Sequence, residues 1–163
     1  MALLLDASVL IQAARYKYPF DLAPGFWSSL AAAGDEGLIR VNHYVANVEI
    51  LPSDDELAKW LKDQKNIIED DRSPQTSREF DPLRVALAAR TPSYRHSAID
   101  EFFDCGDSWV VAHAKANGHE VVHEETSGQM GIKRVKMPDA CDLVGVRHLP
   151  TLDMMRRLKF KLQ

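Results

Sequence analysis

Acidic side chains placed just after short apolar runs are suited to one kind of chemistry. They can hold a hard divalent cation, which takes oxygen ligands and keeps water and substrate phosphate oxygens in its remaining positions. Asp6 ends the run Leu3 to Leu5, and Glu124 and Glu125 follow Val121-Val122-His123. In open α/β sheets, ligands sit outside the carboxyl ends of the strands, so acids at these positions qualify by placement. Asp107 opens a helical segment and can be turned into the same crevice. Each acid also has a purely structural explanation. Asp6 suits a turn or N-cap, Asp107 suits a cap that satisfies free backbone N–H groups, and Glu49 alone reads as a solvated helix glutamate. Side chains alternate across a strand, so only one of Glu124 and Glu125 is expected to face a cleft.

The elements that would position these acids are legible to different degrees. Leu3 to Leu5 reads as a buried strand running through Asp6 and Ser8 into a helix at Val9 to Ala14. Tyr16 to Gly25 reads as a loop, followed by a helix from Phe26 to Ala33. Leu38 to Val41 reads as a second strand, after which Asn42 caps a helix carrying Val45, Val48 and Glu49. Ser53 to Glu56 has capping-box spacing before Leu57, Trp60 and Leu61. Ile68 to Glu79 reads as a polar connection, and Asp81-Pro82 as an N-cap with proline at the first helical position. Ala98 to Asp104 suits a short helix. Asp107 to Asn117, Gly118 and then Glu120-Val121-Val122 form the clearest unit: helix, glycine stop, buried strand. Ile132 to Met137 reads as a strand, Pro138 as a helix start, and Arg147 to Leu149 as a last strand. Strands alternating with helices predict an α/β fold, three layers α/β/α with a central, mostly parallel sheet.

Bulk properties set the limits. A chain of 163 residues with 45% hydrophobic and 27% charged residues fits one globular domain spanning residues 1–163. Met1 to Leu5 is too short an apolar run to cross a membrane or serve as a signal peptide, so no membrane partner and a cytoplasmic location are expected. Cys105 and Cys141 match neither zinc spacing nor a disulfide framework, and both are expected to be reduced and buried. The six histidines show no ligand spacing joined to cysteine, Ser8 lacks a nucleophile elbow, and no glycine-rich phosphate loop is present. Net charge is −4, but from Gly131 onward eight Lys and Arg stand against three Asp, a tail of +5 that leaves −9 for the rest. An acidic body with a basic end suits a cation site beside a phosphate-contacting patch, although a solvated helix face explains the Arg156 to Lys161 run equally simply.

Taken together, these residues resemble the PIN family of metal-dependent ribonucleases. LLLDASVLIQA, with Asp6 and Ser8, is similar to the family's strand ending in an aspartate followed two residues later by a hydroxyl or amide residue. Glu49 stands where the second acid is expected. Asp107 to Gly118 and Glu120-Val121-Val122 look like the third aspartate with its helix-strand unit, and Glu125 stands in for the fourth acid. PGFW at Pro24 to Trp27 and KMPDAC at Lys136 to Cys141 look like a poorly characterised prokaryotic branch. One departure is His123, where the family commonly has threonine or serine.

The resemblance implies a PIN-like domain that hydrolyses RNA phosphodiester bonds with Mg²⁺ or Mn²⁺, using Asp6, Glu49, Asp107 and Glu125 as metal ligands and catalytic groups. Ser8 would orient a ligand or water. It further implies an RNA substrate, an antitoxin protein if the role is that of a toxin, and room for a homodimer. The competing expectations are a binding module whose metal site has decayed, or a structure-specific DNA nuclease.

Overall fold

The order of the strands determines where a site can form. In the computed structural model, which describes residues 1–163, five strands make one all-parallel sheet: β1 (Leu3–Leu5), β2 (Ile39–Asn42), β3 (Ile68–Glu69), β4 (Glu120–His123) and β5 (His148–Pro150), in the order β3-β2-β1-β4-β5. β1 is central, with Leu3 beside both Ile39 and Glu120. The chain winds outward from β1 to β3, then crosses back to place β4 and β5 on the other side. That reversal falls between β1 and β4, and the carboxyl ends of strands at such a switch point are where α/β sheets bind ligands. Leu4, Leu5, Val121 and Val122 are fully buried, as expected for strands covered on both faces.

Nine α-helices cover the sheet: α1 (Ala7–Gln12), α2 (Pro24–Asp35), α3 (Glu56–Asp63), α4 (Pro74–Arg78), α5 (Phe80–Ala89), α6 (His96–Asp104), α7 (Gly106–Asn117), α8 (Met137–Val144) and α9 (Thr151–Arg157). α7 lies along β1, β2 and β4 with α4, α5, α6 and α8 packed around it, whereas α2 packs on β2 and α9 on β4 and β5. One hydrophobic core runs through both faces, centred on Leu4, Leu5, Leu10, Phe26, Leu30, Ile39, Val111 and Met137. No helix is long and apolar enough to cross a membrane. Gly118 ends α7 at φ +69°, a left-handed stop that costs glycine nothing.

Beyond α9 the chain returns to the start of α2. Phe160 packs edge-on to Phe26 at 5.6 Å, Lys161 exchanges two hydrogen bonds with the Ser29 hydroxyl at 3.2 Å, and the Gly25 N–H donates to Leu162 O at 3.1 Å. A Cβ at position 25 would overlap the Leu162 backbone, so only glycine fits there.

Several elements differ from the sequence expectation. The polar connection at 68–79 contains strand β3 and helix α4, the latter capped by Ser73, whose hydroxyl accepts from the Thr76 N–H at 3.1 Å. Asp55, not Ser53, caps α3, and Asp81 lies inside α5 instead of capping it. The strand expected over Ile132 to Met137 is absent, and Met137 instead begins α8. Val135 and Met137 are buried within a strap leading into α8, and the segment pairs with no strand of the sheet. The loop expected from Tyr16 is shortened at both ends, by a π-helical turn over Ala13–Lys17 and by α2 starting at Pro24. Cys141 is buried, but Cys105 is only half-buried.

Candidate metal centre

Asp6 is the first residue past β1, where its N–H donates to Val122 O at 3.0 Å and locks it to the end of β4. It occupies the N-cap position of α1 but makes no capping bond with its side chain. Its carboxylate instead accepts the Ser8 hydroxyl at 2.5 Å. The group is 3% exposed, and burial drives its pKa upward, opposed by the Ser8 bond and reinforced by the charge of Glu125.

Glu49 belongs to a π-helical segment, Val45–Ile50, launched by Asn42, whose side chain accepts the Val45 N–H at 2.8 Å. A π-helical turn inside helical chain often marks a functional position. Glu49 Oε1 accepts the Gly106 N–H at 2.9 Å, an amide that the start of α7 leaves free. A Cβ at position 106 would overlap that carboxylate, so glycine is what allows Glu49 to approach. Burial pushes Glu49 up, the Gly106 bond opposes it, and the Asp6 charge adds to the rise.

Asp107 lies inside the first turn of α7 and caps nothing; the N-cap position is Cys105. Its pKa is pushed up to about 7, first by burial, then by the charges of Asp6, Glu125 and Glu49, with Arg134 pulling the other way. One carboxylate thus feels the other three. Glu125 accepts the Met137 N–H at 3.0 Å on Oε2, and its Oε1 lies 3.6 Å from Arg134 Nη2. Glu124 turns aside to an ion pair with Lys17. The alternation expected after β4 therefore brings Glu125, not Glu124, to the other acids.

The family model described as a domain of unknown function (DUF4411) matches residues 3–162. The chain belongs to the DUF4411 family. Comparison with curated proteins and with solved structures gives no match.

The matched span takes in all four convergent acids of this DUF4411 chain. Their donor set is oxygen only, which suits a hard divalent ion better than a soft one. Cys105 is close by but is pushed up to about 11 by burial and by the Asp107 charge, so it is a thiol and not a thiolate ligand. Asp6, Glu49 and Glu125 each have one oxygen oriented by an N–H or O–H donor, the outer-shell support typical of ligating carboxylates. Two of those supports, the Gly106 and Met137 amides, escaped sequence reading, as did Arg134 beside Glu125. Gly106 carries no signal of its own, since a glycine just ahead of a helical pattern also suits an ordinary turn.

A second cluster in the DUF4411 chain has metal-like spacing but different chemistry. His113 Nε2 and His119 Nε2 lie 2.7 and 2.8 Å from Glu69 Oε1. His119 Nδ1 accepts the Ala2 N–H at 2.9 Å, so the neutral ring carries its proton on Nε2 and donates it to Glu69. No lone pair of that ring then faces the carboxylate. Burial would raise the Glu69 pKa, but the bonds from His119 and His113 outweigh it and hold the group below its ordinary value. The cluster clamps the edge strand β3 to α7 and to the start of β1. His123, beside the acids, bonds to His148 at 2.9 Å, and His148 to Asp142 at 2.8 Å.

Proposed function

We propose that this chain is a PIN-type, metal-dependent endoribonuclease, with Mg²⁺ or Mn²⁺ held by Asp6, Glu49, Asp107 and Glu125. One observation carries the reading: four carboxylates from four separate segments act on one another beside the point where the strand order reverses, and burial, followed by the charges of Asp6, Glu125 and Glu49, pushes Asp107 up to about 7. Such crowding is unfavourable unless a cation relieves it. An ion bound there would lower the pKa of water and neutralise charge on a phosphodiester, which bare carboxylates would repel.

The chain's own groups have separable tasks. Ser8 fixes the rotamer of Asp6, the Gly106 amide fixes Glu49, and the Met137 amide fixes Glu125, so little reorganisation is needed when a substrate phosphate arrives. Arg134, 61% exposed and already beside Glu125, is the cation on the rim that can transfer to a phosphate oxygen. A toxin role with an antitoxin partner, a cytoplasmic location and a single catalytic domain all belong to this proposal.

The test is cleavage of cellular RNA by wild type and Asp6→Asn, with and without Mn²⁺. Metal-dependent cleavage by wild type and its loss in a folded Asp6→Asn variant is the expected result. Equal cleavage by both proteins would reject the ligand set. Cleavage confined to DNA would move the substrate, and absence of both cleavage and specific Mn²⁺ binding would leave a binding module.

A further inference from the structure

Beside Glu49 and Asp107 lies a row of aromatic rings that the metal centre does not use. Tyr44 stacks on Trp109 with centroids 5.6 Å apart and planes 12° from parallel, Trp109 meets Phe80 edge-on at 4.8 Å, and Phe80 leads to Phe103 at 6.3 Å. The Arg84 guanidinium lies 4.2 Å over the Phe103 ring. All four rings are half-buried. Phe103 packs against the hydrophobic core, but Tyr44, Phe80 and Trp109 are not among the side chains that do. The other aromatic group, around Phe26, Trp27 and Trp60, behaves differently: its centre is buried and bolts α2 and α3 together.

The row is continuous with the acids at one end. Tyr44 immediately precedes the segment carrying Glu49, and the Glu49 charge, after burial, helps push the Tyr44 hydroxyl upward. Trp109 stands two residues past Asp107 in α7.

We infer that Tyr44, Trp109 and Phe80 form a stacking platform for the bases of an unpaired nucleic-acid strand whose phosphate enters the carboxylate cleft. This rests on the nuclease reading above and adds the residues that hold the strand: the rings beside the carboxylates. Every base offers a π-face, so ring stacking holds a strand without selecting its sequence, whereas in a duplex those faces are already occupied by neighbouring pairs. Arg84, stacked on Phe103 and 3.5 Å from Asp100 Oδ1, extends the row with a half-exposed cation that a following phosphate can share. An apolar protein partner fits the surroundings less well, because the row ends in four carboxylates that only a cation with a bound anion can complement.

The experiment uses the full-length Asp6→Asn protein in Mg²⁺, so that binding is read without cutting. The probes are an oligodeoxyadenylate of about 12 nucleotides, an abasic strand of the same length and charge, and the blunt duplex. Binding is followed by tryptophan emission. Trp27 is buried but Trp60 is half-buried like Trp109, so the quenching that belongs to Trp109 is read as the difference between this protein and its Trp109→Ala form. Expected are quenching by the base-bearing strand, affinity at least about tenfold weaker for the abasic strand and the duplex, and loss of that difference in Phe80→Leu and Trp109→Ala. The abasic comparison needs no substitution in the platform, so an unfolded Trp109→Ala would not spare the inference. Equal affinity for base-bearing and abasic strands, or unchanged Trp109 emission on binding, overturns it. RNA cleavage by wild type together with equal affinities would sink the platform alone. Base-dependent binding without cleavage would sink the nuclease reading alone.

Discussion

Asp107 carries the most informative charge in the molecule because every other acid of the centre acts on it. A carboxyl whose pKa is near 7 when folded and 3.8 when unfolded keeps its proton on folding over the interval between. The native state then binds more protons than the unfolded state, and stability falls as pH rises. The contribution is fully present below the unfolded value and is lost as pH climbs through about 7. In chelator, wild type should therefore melt lower at pH 8 than at pH 5, while Asp107→Asn, which has no proton to lose, should show a flatter profile and exceed wild type at pH 8. A parallel profile for the two proteins would show that Asp107 is not the titrating group. The neighbouring pair provides a second test. Glu125→Gln should depress metal-dependent cleavage by about two orders of magnitude, as loss of a positioned ligand or its support typically does, whereas Glu124→Gln, which loses only a partly exposed ion pair with Lys17, should stay within about twofold. The reverse pattern would reassign the fourth acid.

At the scale of elements, the meeting of the π-helical segment with the start of α7 is the contact on which the centre depends. Gly106→Ala should force Glu49 away, since its Oε1 occupies the space a methyl group would need. The clashing atoms are the far end of a flexible side chain that can swing aside, so thermal stability should stay within about 1 kcal/mol of wild type while cleavage falls well beyond what that change explains. Normal cleavage in this variant would show that Glu49 does not need the Gly106 amide. These elements were unevenly legible. Val121-Val122 and Leu3 to Leu5 announce their strands because both faces of each are buried and the apolar run is unbroken. β3 does not, because two residues at a sheet edge carry no periodicity, and besides pairing with β2 they are fastened through the side chain of Glu69. Ile132 to Met137 alternates like a strand but is used as a strap: Val135 and Met137 point into the core, and the Met137 amide goes to Glu125. Alternation alone does not distinguish a strand from an extended segment that pairs with nothing. Asp6 and Asp107 could be found from their places beside strong elements, whereas Glu49 depended on a family resemblance, because a π-helical register leaves no periodic trace.

For the whole molecule, the switch from outward to returning strand order was accessible only as a class, α/β, because sequence periodicity says which segments are strands but not which lie side by side. Ion pairs and clamps that join distant segments, such as Glu69 with His113 and His119, were likewise out of reach. The closure of the chain on α2 is of the same kind, and it has a kinetic consequence. The first amides of a helix normally have no partner and exchange with solvent quickly. Gly25 is different: its N–H is occupied by Leu162 O, and the surrounding turn is pinned by Phe160 and Lys161. Its deuterium uptake should therefore report on the last residues of the chain and not on α2. Removing residues 160–163 should turn Gly25 from a slowly exchanging amide into a fast one, while the amides of Leu4 and Val122, deep in the sheet, keep their protection. Fast uptake at Gly25 in the intact protein would mean that residues 160–163 are not fastened to the start of α2 in solution.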